Sequence, residues 1–373
     1  MELATKILHF FPNEKFTRDY ILFVNRNFDV NMHYFLIYGS FHDQYEMVNA
    51  DNVTYEFRSN KTKVFKIIDE FDNFILHSMF LSNKYLLKIK KNSKANVIPV
   101  FWGGDLYDRI KYIKKGENKF NLKLILSEHI RKLFYEKIKY VGTLTPQDYD
   151  FYLNSYKSKA KNLLVSYTAE YFNTDIIKEL IAKSDIRKER KSNELKVLVG
   201  HCASREINHI NSINLIKRQT INCKVFVPLS YGDKAYSNEV IRYGKQVLSN
   251  KFVPIQGFMS FEEYSDFLSD VDLFILDSDR QIGLGNIFHS LLFGTQLFLP
   301  ENSKNFQFLK DYLGLKIFKI SDFTRNTIEN YENEQKTYRD YNRSKLLKYL
   351  SETQSIDAWN KLFEKFSSGD VNE

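Results

Sequence analysis

Residues 271–294 read VDLFILDSDRQIGLGNIFHSLLFG, which is an apolar run, a polar turn with two glycines, and a second apolar run. The first run is short and does not alternate, as is typical of a buried parallel strand. The whole stretch therefore predicts a strand, a turn and a helix in that order. Arg280 and Gln281 lie in the turn, although a plain connection would need only the glycines. The stretch predicts an α/β fold with a polar ligand at this turn.

Similar apolar runs recur along the chain, each followed by a polar turn and a helical pattern. The first half contains the runs 6–11, 33–39, 73–80, 96–105, 139–146 and 162–167. The second half contains the runs 195–204, 223–232, 251–259, 271–279, 295–300 and 315–320. A chain of 373 residues exceeds the usual size of a single core. We therefore predict two doubly wound α/β domains, each built on a parallel sheet.

The domain boundaries are predicted from charge and periodicity. Segment 183–194 is highly charged and has no apolar periodicity, so it is interpreted as a linker. The N-terminal domain then covers residues 1–182 and the C-terminal domain covers residues 195–350. The last segment, 351–373, is predicted to be a helix that returns to the N-terminal domain, because one helical face carries Trp359, Leu362, Phe363 and Phe366.

The composition indicates an anionic partner in a reducing compartment. The net charge is +8, and the only cysteines are Cys202 and Cys223, too few for a disulfide framework. No stretch approaches the roughly 20 apolar residues of a spanning helix, and the N-terminus lacks an apolar leader. These features favour a cytoplasmic protein.

Basic and aromatic residues alternate in the first half of the chain. This pattern predicts docking to an anionic membrane surface. The proposed contacts are the basic residues Arg109, Lys111, Lys114, Lys115, Arg131, Lys132, Lys137 and Lys139, with Leu133, Phe134, Tyr135 and Ile138 between them. The alternative is a helix with one core face and one solvated basic face.

The turn after residue 276 is the first candidate ligand site, since parallel sheets bind ligands at the carboxyl ends of their strands. Gly283 and Gly285 would let the backbone approach a ligand, and a helix starting near Asn286 would present free N–H groups. Arg280 would add a bidentate charge, with Gln281 beside it. We interpret the turn as a diphosphate cradle, with a plain glycine turn and a solvated arginine as the alternative.

The turn after residue 199 follows the same logic. Gly200 ends a strand, Ser204 would cap the next helix, and Arg205 would lie beside the first turn of that helix. His201 and His209 are better explained as hydrogen-bonded structural histidines. Two such turns in one domain fit a single elongated anionic ligand.

Two further turns carry candidate residues. Gly257 and Phe258 follow another strand, where a backbone turn and an aromatic ring would hold a nucleobase; Phe258 fits a core position equally well. In the first half, Asp105 follows two glycines at a strand end, where a carboxylate could take a proton from an attacking hydroxyl. The alternative role for Asp105 is the N-cap of the helix that follows.

No metal site is predicted. The histidines are scattered, the cysteines are far apart, and the carboxylates of 277–279 lie in a loop. We therefore expect neither a metal nor a cofactor, and the nucleotide-linked donor is expected to be a substrate.

Four segments resemble one known family, the dTDP-N-acetylfucosamine:lipid II N-acetylfucosaminyltransferases, a 4-alpha-L-fucosyltransferase type. They match its W-G-x-D-L-Y, I-L-V-G-N-S-x-x-x-x-N-x-H, V-P-M-x-Y-x-x-x-x-Y-x-x-x-V and R-Q-x-G-x-G segments, in the order of the family. The segments are FWGGDLYD (101–108), VLVGHCASREINHI (197–210), VPLSYGDKAYSNEV (227–240) and RQIGLG (280–285).

The resemblance implies a GT-B glycosyltransferase, with two Rossmann-like domains facing a central cleft. It implies a nucleotide-sugar donor in the C-terminal domain, a lipid-linked saccharide acceptor at the N-terminal domain, no metal, and peripheral attachment to the cytoplasmic face of the bacterial inner membrane. His201 stands where the family tends to have Asn, and Asn286 where it has a small hydroxyl residue. These departures leave the donor sugar open.

The reaction expected is transfer of a 4-acetamido-4,6-dideoxyhexose from a dTDP donor to a polyprenyl-diphosphate-linked saccharide in surface polysaccharide assembly. Arg205 and Arg280 would hold the diphosphate, and Asp105 would be the base or, in a retaining reaction, would position the acceptor. A nucleotide-sugar epimerase of the same architecture is the alternative enzyme. A basic nucleic-acid-binding protein is the alternative from another class, but the chain has no recognised nucleic-acid module, so we expect no nucleic-acid partner.

Overall fold

The computed structural model describes residues 6–14, 16–41, 45–57, 61–108, 122–167, 175–189 and 194–367. The chain divides into two compact units. The first unit contains residues 1–171 and 352–373, and the second contains residues 172–351.

The first unit is built on a parallel sheet of seven strands in the order β3-β2-β1-β4-β5-β6-β7. The strands are β1 Ile7–Pro12, β2 His33–Gly39, β3 Val53–Phe57, β4 Asn73–His77, β5 Asn96–Phe101, β6 Tyr140–Thr143 and β7 Lys161–Leu164. The helices between them include α1 Thr17–Asn27, α2 Lys61–Asp69, α3 Asn83–Lys91, α4 Leu122–Tyr135 and α5 Pro146–Tyr156.

The second unit is built on a parallel sheet of six strands in the order β10-β9-β8-β11-β12-β13. The strands are β8 Leu195–Val199, β9 Cys223–Pro228, β10 Phe252–Ile255, β11 Leu273–Ile275, β12 Gln296–Leu299 and β13 Phe318–Lys319. The longer helices are α6 Asp175–Glu189, α7 His209–Gln219, α8 Lys234–Leu248, α9 Phe261–Ser269, α10 Leu284–Leu292 and α11 Arg325–Tyr349.

The burial of the strands explains why the sequence forms these sheets. Every residue of β5 and β11 is buried, as expected for parallel strands covered by helices on both faces. Each of the twelve apolar runs of the sequence overlaps a strand, and the two parallel sheets confirm the predicted α/β class. The sequence missed β3, an edge strand whose side chains are mostly half-buried and whose apolar run is short.

The predicted linker 183–194 is wrong over its first part. Helix α6 continues through Glu189, and Ser184 within it is buried and donates a hydrogen bond to the carbonyl of Phe293 at 2.7 Å. Asp185 accepts two hydrogen bonds from the Arg343 guanidinium, at 2.8 and 3.0 Å. The charges of this segment therefore hold α6 inside the second unit; residues 190–193 lie outside the described residues.

The final helix, α12 (Glu352–Ser367), belongs to the first unit although it follows the second in sequence. Its apolar face, with Trp359, Leu362, Phe363 and Phe366, is buried. The Trp359 indole donates to the carbonyl of Ser166 at 2.8 Å, and its ring lies 4.8 Å from that of Tyr20. Aromatic packing and one hydrogen bond thus attach α12 to the first sheet.

The strand order places a switch point in each sheet, where the direction of winding reverses. In the first unit it lies between β1 and β4, and in the second between β8 and β11. In open α/β sheets, ligands bind outside the carboxyl ends of the strands at such a point. The loops after these four strands are therefore the first places to seek a site.

Candidate functional site

The loops after β8 and β11 are fixed to each other at the switch point of the second unit. The amide of Gly200 donates to the carbonyl of Ile275 at 3.0 Å, and the amide of Asn208 donates to the carbonyl of Asp277 at 2.9 Å. The side-chain amide of Asn211 donates to the Asp277 carboxylate at 2.6 Å. Two of the turns singled out in the sequence are therefore neighbours in the fold.

Gly200 and Gly283 are both required by the geometry of these loops. Their φ angles are +69° and +70°, in the left-handed region that favours glycine. A Cβ atom on Gly200 would lie 2.5 Å from Nε2 of His209, and one on Gly283 would lie 2.7 Å from Cδ2 of His201. The two glycines thus make room for two histidine rings.

Helix α10 begins at Leu284, two residues before the predicted start, with Gly283 as its N-cap. No side chain caps this helix end, so its first N–H groups point to the loop and carry the positive end of the helix dipole. A Cβ on Gly285 would meet no atom within 4 Å, which means that open space lies beside the first turn. Asn286 is half-buried in the same turn. This arrangement has the geometry of an anion site.

The loop that precedes α10 is held by hydrogen bonds from the segment after β12. The amide of Lys304 donates to the carbonyl of Asp279 at 2.9 Å, and the side chain of Asn305 donates to the carbonyl of Ile282 at 2.7 Å. Arg280 is half-buried between these anchors and Gln281 is buried. The loop is therefore a defined structure and not a solvated connection.

Ser204 does not cap a helix, which corrects the prediction. Helix α7 begins at His209 and has Asn208 at its N-cap. Ser204 instead accepts a hydrogen bond from the amide of Glu206 at 3.2 Å. The reason is that Ala203 bridges to Gly232 in the neighbouring loop, which keeps the chain extended past the end of β8.

Arg205 is exposed and directs its charge to helix α8. Its Nε donates to Asp233 at 3.1 Å, its Nη1 donates to Glu239 at 3.3 Å, and its guanidinium lies 4.8 Å from the ring centre of Tyr236. These contacts hold the loop after β8 against α8. The predicted contact of Arg205 with a diphosphate would have to compete with both carboxylates.

Gly257 and Phe258 lie beyond β10, the edge strand on the far side of β9 from the switch point. Phe258 is 76% exposed, so the interpretation of this residue as core is wrong. A cavity of about 520 Å³ is lined by residues 254–259 and Glu263. An exposed aromatic ring beside a cavity is a suitable surface for a planar base.

Asp105 is buried at the carboxyl edge of the first sheet. It lies in the second position of a helix that begins at Gly104, so it is not the N-cap. One carboxylate oxygen accepts from the amide of Met79 at 2.6 Å, and the other accepts from the amide of Trp102 at 2.9 Å. Burial raises the pKa of the Asp105 carboxyl to about 6, against the lowering effect of these amides. Asp105 therefore ties the loop after β4 to the loop after β5.

Arg131, in α4, is a site residue that sequence reasoning assigned to the wrong surface. It is 2% exposed, and its Nη1 donates to the carbonyl of Met79 at 2.7 Å while its Nη2 donates to the carbonyl of Leu81. With Asp105, it holds the loop after β4 from two sides. The predicted membrane contact of Arg131 is wrong because the guanidinium points into the fold.

The first sheet also contains a buried chain of histidines that the sequence did not reveal. Nε2 of His9 lies 2.9 Å from Nδ1 of His33, Nδ1 of His9 lies 3.0 Å from Nε2 of His77, and Nδ1 of His77 lies 2.6 Å from the hydroxyl of Tyr167. Burial lowers the pKa of His33 to about 4 and those of His9 and His77 well below the usual value. All three imidazoles are therefore neutral at pH 7.

Among the described residues, no group of three or more His, Cys, Asp or Glu side chains has the arrangement of a metal site. In the same part of the chain, no helix combines the length and apolarity needed to cross a membrane.

The two parallel α/β units match the GT-B fold of known glycosyltransferases. The chain is similar to sucrose-phosphate synthase from Thermosynechococcus elongatus, with 10% identity, a TM-score of 0.70, and coverage of 98% of this chain and 100% of the other. It is similar to Anabaena Alr3699/HepE in complex with UDP and glucose, with 11% identity, a TM-score of 0.66, and coverage of 97% and 100%. A glycosyltransferase from Rickettsia africae ESF-5 gives 12% identity, a TM-score of 0.64, and coverage of 99% of both chains.

The sequence identifies the family within this class. Residues 6–344 match the family described as 4-alpha-L-fucosyltransferase, glycosyl transferase group 56. The chain belongs to this family, and the resemblance of the four segments is confirmed.

Proposed function

We propose that this glycosyltransferase transfers a 4-acetamido-4,6-dideoxyhexose from a dTDP-linked donor to a polyprenyl-diphosphate-linked saccharide in bacterial surface polysaccharide assembly. The observation that carries the donor part is the meeting of two glycine turns at the switch point of the second unit. A nucleotide donor is also supported by the similar Anabaena protein, which was solved with UDP and glucose.

In this proposal the donor diphosphate lies at the N-terminus of α10. The first N–H groups of the helix and the guanidinium of Arg280 neutralise its charge, and Gly285 leaves space for its oxygens. Gln281 and Asn286 border the same turn. The base is assigned to Phe258 and the cavity behind Gly257.

Replacing Arg280 with alanine is expected to weaken nucleotide binding by about 1.5–3 kcal/mol, because a charge-assisted contact with the diphosphate is lost. The measurement is a calorimetric titration with UDP and dTDP. Arg242→Ala, which removes an exposed arginine from α8, is the matched control and should bind as the parent does. Unchanged affinity in folded Arg280→Ala would remove Arg280 from the donor site.

The acceptor is assigned to the loop after β4, at the switch point of the first unit. Asp105 and Arg131 fix this loop through Met79 and Leu81. Both oxygens of Asp105 already accept backbone hydrogen bonds, so we assign Asp105 the task of positioning the acceptor loop. A role as base would require it to release one of these amides.

The membrane contact is assigned to a surface that differs in part from the predicted one. Phe134 and Tyr135 at the end of α4, and Ile138 just after it, are buried, so the predicted membrane contact of these three residues is wrong. The basic residues 109–115 lie outside the described residues. Large apolar side chains are instead exposed on and beside α3 and α4, which are joined by hydrogen bonds from Asn83 to Ser127. We call this set the apolar patch; it contains Phe80, Leu87, Ile125, Leu126 and Leu133.

The charge beside the apolar patch suits an anionic lipid surface. Lys90 and Lys91 are exposed at the end of α3, and Lys132 and Lys137 are exposed at and beyond the end of α4. Apolar side chains that enter the headgroup boundary and lysines that meet anionic lipid act together in peripheral binding. Such docking would hold the first unit at the cytoplasmic membrane face, where a polyprenyl acceptor lies.

The double variant Ile125→Ser, Leu126→Ser is expected to bind anionic vesicles at least about tenfold more weakly, since two exposed aliphatic side chains no longer enter the lipid. Sedimentation with phosphatidylglycerol vesicles measures this. Leu347→Ser is the matched control, because Leu347 is exposed on α11 of the second unit. Equal binding by the double variant and the parent would exclude the apolar patch, and binding of oligonucleotides instead would favour a nucleic-acid partner.

The function is tested by incubating the protein with a panel of nucleotide sugars and membrane extracts that contain lipid-linked saccharides. Mass spectrometry of the lipid fraction should show the mass of one added deoxyamino sugar with the dTDP donor. Conversion of the nucleotide sugar without transfer would favour the epimerase.

A further inference from the structure

Phe80 exposes an aromatic ring at the carboxyl edge of the first sheet. It lies in the loop after β4, at the switch point where open α/β sheets bind ligands. The ring is 64% exposed, whereas the neighbouring side chains of Met79 and Leu81 are buried. Contact of an aromatic ring with water is unfavourable, and this ring lies where a bound ligand would cover it.

The backbone next to Phe80 is fixed by buried groups. Asp105 accepts from the amide of Met79 at 2.6 Å, and Arg131 donates to the carbonyl of Met79 at 2.7 Å. The amide of Phe80 donates to Oγ of Ser78 at 3.3 Å. Ser78 has a φ of +66°, in the left-handed region that residues with a Cβ rarely adopt. Backbone strain of this kind is concentrated at functional sites, and here it sets the direction of one exposed ring.

Gly104 leaves an open space beside this ring. A Cβ atom on Gly104 would lie 3.5 Å from Cζ of Phe80 and 3.6 Å from Oδ2 of Asp108. The exposed ring and the half-buried carboxylate therefore border the same space, and the glycine has no side chain to fill it. A ligand that entered this space would meet an aromatic face and a hydrogen-bond acceptor together.

This pair of groups fits a sugar ring better than a lipid chain. One face of a pyranose carries C–H groups, which pack on the electron-rich face of an aromatic ring, while its hydroxyls donate to a carboxylate. A polyprenyl chain has no donor for Asp108, and an anionic lipid surface would be repelled by the carboxylate. Phe80 therefore differs from the part of the apolar patch that lysines accompany.

We propose that Phe80, Gly104 and Asp108 form the subsite that binds a sugar ring of the acceptor. Phe80 provides the stacking surface and Asp108 accepts from the sugar hydroxyls. This inference rests on the proposed function and deepens it, because it names the residues of the first unit that contact the saccharide. Asp105 and Arg131 position the loop from behind, and the membrane contact is left to the other residues of the apolar patch.

The first test measures sugar binding by ligand-observed saturation-transfer NMR, with glucose, galactose and N-acetylglucosamine as probes. Phe80→Trp keeps an aromatic face, and Phe80→Leu keeps only the apolar bulk. We expect sugar binding to weaken about three- to tenfold in Phe80→Leu and to stay within about twofold of the parent in Phe80→Trp, because only the aromatic face stacks on the sugar. Tyr312→Leu, which removes an exposed ring from the second unit, is the matched control and should bind as the parent does.

Gly104→Ala tests the space beside the ring. The added methyl group would lie at ordinary contact distance from Phe80 and Asp108, so the fold should accept it. The methyl group would nevertheless occupy the place of the sugar. We expect sugar binding to weaken as much as in Phe80→Leu, with the midpoint of urea denaturation unchanged.

Sedimentation of Phe80→Ser with phosphatidylglycerol vesicles separates the sugar from the lipid. We expect vesicle binding like that of the parent together with loss of sugar binding. Weaker vesicle binding with intact sugar binding would assign the ring to the membrane and overturn the inference.

Two other results would also overturn the inference: parent-like sugar binding by folded Phe80→Leu, and a parent that binds none of the three sugars. Either result would leave the proposed function standing if the parent transfers a sugar to the lipid fraction. Sugar binding that depends on Phe80, in a protein that transfers no sugar from any donor, would support the subsite and overturn the proposed function.

Discussion

Replacing Arg131 with alanine is expected to lower the free energy of unfolding of the first unit by about 3–5 kcal/mol. The guanidinium is buried and donates to the carbonyls of Met79 and Leu81. Alanine would leave these carbonyls without their donors and would open a cavity between α4 and the loop after β4. The loss is measured by urea denaturation followed by circular dichroism.

Two further variants show whether Arg131 acts through the loop after β4. Arg131→Lys supplies one ammonium group in place of the two donors and should recover only part of the stability. Asp105→Asn replaces one acceptor oxygen with an amide NH2 group that faces a backbone N–H, so we expect lower turnover with nucleotide affinity intact. A loss below about 1 kcal/mol in Arg131→Ala would mean that the loop does not depend on Arg131.

The stability of the first unit is expected to fall as the pH is lowered from 6.5 to about 4. The folded-state pKa values of His9, His33 and His77 lie below that of an unfolded histidine. Their stabilising effect is therefore present above pH 6.5 and is lost as the unfolded state gains protons below it. Three such groups lower the free energy of unfolding by up to about 4 kcal/mol for each pH unit of acidification.

Two buried carboxyls act in the opposite direction. Burial raises the pKa of Asp105 to about 6 and that of Asp148 to about 7, so the folded state holds these protons at a higher pH than the unfolded state. Each carboxyl then raises the free energy of unfolding by up to about 1.4 kcal/mol per pH unit as the pH falls towards 4. With three histidines against two carboxyls, the unfolded state binds about one proton more than the folded state. The free energy of unfolding is therefore expected to fall by roughly 1.4 kcal/mol for each pH unit of acidification.

Urea denaturation between pH 7.5 and 4.5 measures this slope, and Asp148→Asn provides an internal comparison. The variant removes one opposing carboxyl while keeping an acceptor for the hydroxyl of Tyr107, which donates to Asp148 at 2.8 Å. Its stability should therefore fall more steeply with acid than that of the parent. If the free energy of unfolding increased as the pH was lowered from 6.5 to 4.5, the histidine chain would have to be protonated in the folded state.

The fold followed from the sequence because parallel strands covered on both faces must be continuously apolar. The runs 33–39 and 271–276 show this pattern, and both contain strands. Charge was a poorer guide. The predicted linker is partly a helix because Asp185 finds Arg343, a residue 158 positions away that no local pattern could indicate.

The sequence by itself determined the strand runs, the family, and the glycine turns at residues 200 and 283, because short-range periodicity and backbone freedom are local properties. Only the tertiary structure decided which turns lie next to each other and which charged side chains are already paired or buried. Strand order brings His201 to Gly283, turns Arg205 towards Asp233, and buries Arg131 beneath the loop after β4. These outcomes depend on long-range packing, in which a charged side chain contacts residues far from it in sequence.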